Sequence, residues 1–188
     1  LRLASPVTPR SSPAPAPARG LSIAFHPGSN RLDPELDNNW EILTDILSTI
    51  RAIEYSGDSR VTRVIVEGHA SLDASHEQNT TIAWQRADAV REYLARRAGL
   101  PPDVFRVHNA GEDWEGLRAL VEQSYMPSRE AVLHVIDRVP VWDHVLHTGR
   151  QKILQTLHDG HPYRYMRDYF FPHLRRAALV RIYYTNIP

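Results

Sequence analysis

The fold class this sequence predicts is α+β, an α/β sandwich in which helices pack on a sheet. Three observations predict it. Short apolar runs of strand length alternate with longer runs whose apolar residues recur every three or four positions. Capping and breaking residues stand at the junctions between them. The first five runs fall in the order strand, helix, strand, helix, strand, an alternation that layers helices on a sheet.

The first strand is expected in LSIAF, Leu21 to Phe25. After the turn-forming HPGSN, Asp33 and Pro34 read as an N-cap and a proline at the first helical position. Leu36, Trp40, Leu43, Leu47 and Ile50 then recur at helical steps and predict an amphipathic helix that SGDS ends. Val61 to Glu67 is the second strand. A second helix is expected from about Asn79 to Ala98, burying Ala83, Ala87, Val90 and Leu94. Gly99 closes it, Pro101 and Pro102 bar its return, and VFRVHN (Val104 to Asn109) reads as the third strand. Residues 112–173 break the alternation with four helical or turn-like runs rich in Trp, Leu, Val and Tyr, expected as a helical insertion before a last strand at Ala177 to Asn186. The first twenty residues are proline, alanine and serine without an apolar period. They read as a disordered linker, residues 1–20, ahead of a domain at 21–188. At ~3.1 Å per residue such a segment reaches roughly 60 Å, which suits a tether, although a plain disordered chain end gives the same composition.

Composition excludes several classes. Lysine plus arginine equals aspartate plus glutamate at 22 each, so no basic excess is available for a phosphate backbone and nucleic acid is not the expected partner. Lys152 is the single lysine. With no cysteine there is no disulfide, thiolate metal site or cysteine nucleophile. No apolar run approaches the ~20 residues of a membrane-spanning helix. A start at Leu1 without a signal-peptide pattern fits a processed protein or an excised domain.

The informative stretch is GHASLDASHEQNTTIAWQRADAV, residues 68–90. Gly68, His69, Ala70, Ser71, Asn79, Ile82, Ala83, Arg86, Ala87, Val90, Tyr93 and Leu94 stand in one ungapped register. That register resembles the OmpA-like domain, found also in peptidoglycan-associated lipoproteins and flagellar stator subunits. The family's signature is a strand, Gly-His/Tyr-Thr-Asp, a short loop, Asn, Leu-Ser, Arg-Ala, then Val and Tyr-Leu. FHPGSNRLDP resembles the family's entry into its first helix, and Leu174-Arg175-Arg176 its closing Arg-Arg segment. The resemblance implies a β-α-β-α-β core with a mixed sheet, and a groove that holds the zwitterionic end of diaminopimelate in the peptidoglycan stem peptide. The loop aspartate would take the ammonium, the helix arginine the carboxylate, and the asparagine would bridge loop and ligand.

Carried onto this chain, the implied ligand residues are Arg86, Asn79, Arg176 and the loop position held by Ser71. A hydroxyl at 71 lacks the family's negative charge, and Asp73, two residues on, is the candidate substitute. Residue chemistry leaves other roles open: Arg86 in a structural ion pair, Asp73 as an exposed loop carboxylate, Asn79 as the N-cap of the second helix. The implied protein is a periplasmic anchor of an outer-membrane protein or surface assembly in a Gram-negative cell, with peptidoglycan and envelope proteins as its implied partners. Its runner-up is an interaction module that has lost wall binding and presents the insertion to a partner.

Metal and catalysis find little support. His144 with His147 and His158 with His161 have a spacing that places two imidazoles on one helix face, but no HExxH accompanies them, and they read as a solvated face. Glu112, Asp113 and Glu115 fit negative charge at a helix N-terminus better than a glycosidase carboxylate pair, with Trp114, Leu117, Leu120 and Val121 as that helix's core face. No nucleophile motif or phosphate loop is present, so neither an enzyme nor a cofactor, nor a metal, is expected.

Overall fold

In the computed structural model the described residues are 21–174 and 176–187. The segment 1–20, expected as a linker, lies outside them. The core is built from β1 (Ser22–Ala24), α1 (Asn39–Tyr55), β2 (Ser59–Ala70), α2 (His76–Ala98) and β3 (Phe105–Glu112). Helices α3 (Trp114–Glu122), α4 (Arg129–Arg138), α5 (Arg150–Thr156), α6 (His161–Tyr169) and α7 (Phe171–Leu174) follow, before β4 (Arg176–Asn186) closes the sheet. The strand order is β1-β4-β2-β3. Strand β4 runs antiparallel to both β1 and β2, and β2 runs parallel to β3, so the sheet is mixed as the sequence implied.

Helices α1 and α2 cover one face of the sheet. Their apolar stripes meet Val64 and Val66 of β2, Phe105 of β3 and Val180 of β4 in a first hydrophobic core. In α1 the buried stripe is Ile42, Leu43, Ile46, Leu47 and Ile50, whereas Trp40 is 63% exposed on the opposite side. The helix also begins later than Asp33-Pro34 suggests. Asp33 accepts the Glu35 N–H at 3.0 Å in a local turn, and Asp37 takes a left-handed φ of 50° that interrupts any helix through it. Asn39, fully buried in the first turn, accepts the Ala24 N–H and donates to the carbonyls of Ala24 and Asp33. One amide thereby anchors β1 and the 26–38 connection to the start of α1.

Helix α2 starts at His76, three residues before the expected Asn79, because Ser75 and Gln78 form a reciprocal capping box. Its buried face contains Ala83, Ala87, Val90 and Leu94, and Gly99 ends it in the left-handed conformation, both as expected. The glycine of the Gly-His motif has a packing reason. A Cβ on Gly68 would overlap the Ala83 carbonyl oxygen and lie 2.8 Å from the Ala87 Cβ, so β2 and α2 touch backbone to backbone here.

The insertion is helical, as the sequence predicts, and folds into a second core. Trp114, Leu117 and Val121 of α3 pack with Val132 and Ile136 of α4, Leu154 of α5, and Met166 and Phe171 of α6 and α7. One residue from the sheet side joins them: Leu72, just past β2. The run from Val141 to Gly149 is not helical. It forms a turn closed by paired backbone bonds between Asp143 and Thr148.

Gly68→Ala is expected to destabilise the protein by about 1–3 kcal/mol through overpacking against Ala83 and Ala87. The change should appear as a fall in melting temperature of roughly 2–4 °C per kcal/mol for a chain of this size, measured by circular dichroism.

Candidate functional site

The segment after β2, where the sequence placed the ligand loop, is held from several directions. Ser71 is 7% exposed and its Oγ donates to Asp73 Oδ2 at 2.7 Å. The intervening Leu72 is 0% exposed, sunk in the second core. Its carbonyl accepts from Gln151 Nε2 at 2.9 Å and from the Tyr163 hydroxyl at 2.8 Å, and the same Gln151 nitrogen donates to the Ala74 carbonyl at 2.7 Å. Buried carbonyls require partners, and here the insertion supplies them. Asp73 itself faces solvent.

Asn79 acts as a brace rather than a cap. Its Nδ2 donates to the Ala74 carbonyl at 3.0 Å and to Glu112 Oε1 at 2.9 Å, and its Oδ1 accepts the Ala74 N–H. Glu112, at the end of β3, is a buried carboxylate and not part of a helix N-terminus. Besides Asn79 it accepts from Trp114 Nε1 at 3.0 Å, and His76 Nδ1 lies 3.1 Å from its Oε2. Asp113 does cap α3, accepting the Gly116 N–H at 2.8 Å, and Glu115 lies in the first turn. Trp114, Leu117 and Val121 are buried as expected, with Leu120 partly buried beside them.

Arg86 is 2% exposed on the sheet-facing side of α2. Its Nε donates to the Ser29 carbonyl at 2.9 Å and its Nη2 to the His26 carbonyl at 3.3 Å, while Phe25 lies beneath, its ring centre 5.3 Å from Cζ. These contacts fix the guanidinium against the turn that follows β1. Close packing at Gly68 lays the end of β2 beside the same stretch of α2, since Ala83 and Ala87 flank Arg86 in the helix. Arg176 opens β4, its backbone paired with Ala24. Its side chain and the whole of Arg175 lie outside what the structure describes.

Beside the loop lies a cleft of about 870 Å³ between the first turn of α2 and the 141–155 stretch of the insertion. Asp73 and His76 line it from the core side, Trp142, Gln151 and Lys152 from the insertion. No part of its insertion wall was marked as functional by sequence periodicity. The helical spacing supposed for the histidine pairs does not hold: His144 and His147 sit on the 143–148 turn, and His158 occupies a kink with φ 47°, bonded to Ser128 Oγ. Among the described residues no group of three or more His, Asp or Glu side chains is placed to hold a metal ion, and no helix is long and apolar enough to cross a membrane.

A β-α-β-α-β sandwich whose second strand runs through Gly-His into a polar loop, with a buried arginine on the next helix, is the architecture of an OmpA-like domain. The OmpA family profile matches residues 24–118, a little over half of the chain, and the chain belongs to that family. The match ends within α3, so α4 to α7 and β4 fall beyond it. Solved structures similar to the chain include the following two. One is the peptidoglycan-associated lipoprotein from Burkholderia pseudomallei, at 18% identity over 51% of this chain and 72% of that one, with a TM-score of 0.40. The other is an OmpA-like domain from Francisella tularensis, at 18% identity over 46% of this chain and 53% of that one, with a TM-score of 0.37. The chain thus spans about half of the second. No curated protein matches it.

Leu72→Ala tests how firmly the loop is held. A fully buried leucine in a packed core costs about 2–5 kcal/mol on truncation, whereas an exposed loop leucine costs within about 0.5 kcal/mol. Chemical denaturation should return the larger value.

Proposed function

We propose that this is a non-catalytic, wall-associating domain of the bacterial periplasm that grips the diaminopimelate end of a peptidoglycan stem peptide and so anchors an envelope protein. The observation that carries this reading is the 2.7 Å hydrogen bond from Ser71 Oγ to Asp73 Oδ2. It returns a carboxylate to the neighbourhood of position 71, where the family's aspartate would stand. Asp73 then receives the ligand ammonium. Arg86 receives the ligand carboxylate as a charge-assisted pair. Because the guanidinium is buried, the ligand reaches it by displacing the turn at 26–29, whose carbonyls act as placeholders for the incoming oxygens. Asn79 holds the loop to Glu112 and keeps Asp73 in position through Ala74. The Asp73 contact is modest at the edge of water, and repeated epitopes on the wall polymer supply avidity.

A second reading has its own observation. Leu72 is sunk in the insertion's core and Gln151 fastens the loop's carbonyls, an arrangement that suits a module whose loop is no longer free to receive a ligand. In that reading the insertion presents a protein-binding surface.

Calorimetry with free diaminopimelate separates the two. Asp73→Ala removes the ammonium's counter-charge, and a hydrogen bond to a charged group contributes about 1.5–3 kcal/mol, so affinity should fall roughly ten- to a hundredfold. Ser71→Asp should not improve binding, because it sets two carboxylates against each other and removes the donor that orients Asp73. A gain with Ser71→Asp would show that Asp73 is not the ammonium group. Absence of heat for wild type at millimolar ligand, together with failure to sediment with sacculi, would leave the interaction module.

A further inference from the structure

The cleft between α2 and the insertion touches the stem-peptide reading only through Asp73. We propose that it is a carbohydrate site that takes N-acetylated amino sugars of the wall glycan, a ligand identity that rests on the wall-association reading above.

The site is built outward from a buried carboxylate. Glu112, 1% exposed in its side chain, ties together Asn79, Trp114 and His76. The imidazole so fixed lies flat against the Trp142 indole, with ring centres 5.7 Å apart and planes 5° from parallel. Trp142 is also held from its own chain. Asp143 Oδ1 accepts the N–H groups of Val145 and Leu146, and these bonds, Leu146 first, keep the Asp143 carboxyl below its usual range and ionised. Gly149 packs so closely under Val141 that a Cβ there would overlap the Val141 carbonyl oxygen. The indole is therefore a fixed plate in the cleft wall, and binding against it requires little further ordering.

Around this plate stand polar groups with few protein partners. Among the described residues the side chains of Glu77, His144 and Gln155 make no hydrogen bond, and Lys152 Nζ has one long contact, 3.5 Å to the His147 carbonyl. Carboxylate, imidazole, amide and ammonium groups thus surround an aromatic face. A pyranose presents the complement: an apolar C–H face and a rim of hydroxyls that each donate and accept, with an acetamido group for the amide. A simple anion would meet Glu77, and a wholly apolar ligand would bury that charge without a partner. The volume of about 870 Å³ falls among small-molecule sites, which run to about 1,000 Å³.

The test is calorimetry with a peptide-free N-acetylglucosamine tetramer, run beside free diaminopimelate on the same full chain. Wild type should bind the tetramer, Trp142→Ala should lower that affinity about tenfold, and Trp142→Phe should recover much of it. Gln155→Ala alters an exposed side chain with no protein partner and should weaken the tetramer without moving the melting temperature. No binding at millimolar tetramer, or equal binding by wild type, Trp142→Ala and Gln155→Ala, overturns the site. The two readings fail separately: diaminopimelate heat without tetramer heat removes the sugar site and leaves the stem-peptide grip. Tetramer heat lost in Trp142→Ala, without diaminopimelate heat, supports the sugar site and removes the grip.

Discussion

Burial of Leu72 is the constraint through which the two halves of this molecule meet. Ala70 is the last residue of β2, packed on the sheet side, and its carbonyl accepts the Asp113 N–H that starts the insertion. Two residues on, Leu72 is enclosed by the insertion's own core. A chain that buries one residue so deeply must also satisfy the peptide groups around it. Gln151 does so with one nitrogen shared between two carbonyls, and Tyr163 adds a third bond. The loop is thereby ordered by residues some eighty to ninety positions away, before any ligand arrives.

Much of the core was legible because its signals are local. The small residues Ala83 and Ala87 on the buried face of α2 and Gly99 at its end are short-range features with one physical reading each. Gly68 was legible as a motif residue, and the structure adds the reason, a backbone contact that leaves no room for a Cβ. Trp40 misled because a tryptophan at helical spacing counts as core, yet the stripe beside it already covers the sheet and the indole is left outside. The run at 141–149, helical or turn-like by sequence, is a turn. Valine, tryptophan and leucine there keep an apolar pattern, but Asp143 captures two backbone N–H groups in a turn that competes with the helix.

For the candidate site residues, the sequence named positions and not the contacts they make. Asn79, Ser71 and Asp73 lie in or beside the loop and Arg86 lies against the turn after β1, but the partners of Asn79 and Arg86 are distant in sequence. Asn79 meets Glu112 across 33 positions and Arg86 meets Ser29 across 57. No periodicity encodes such pairs. Glu112 is the clearest case: in sequence it is one of three acidic residues before a helix, and in space it is the buried hub that joins α2, α3 and the cleft wall. A buried carboxylate surrounded by three nitrogen groups is stable only if all remain in place, which makes the hub a conformational lock.

The same burial gives a physical reason for serine at position 71. Once the insertion sequesters Leu72, its neighbour is drawn to 7% exposure. An aspartate there would need its charge compensated away from water, a penalty that a hydroxyl escapes. Asp73, facing solvent on the far side of Leu72, can carry the charge without that cost. Serine supplies a donor that orients the Asp73 carboxylate. A serine at position 71 and the cover that the insertion lays over Leu72 are then compatible parts of one packing arrangement. The insertion that covers Leu72 also supplies the Trp142 wall of the adjoining cleft.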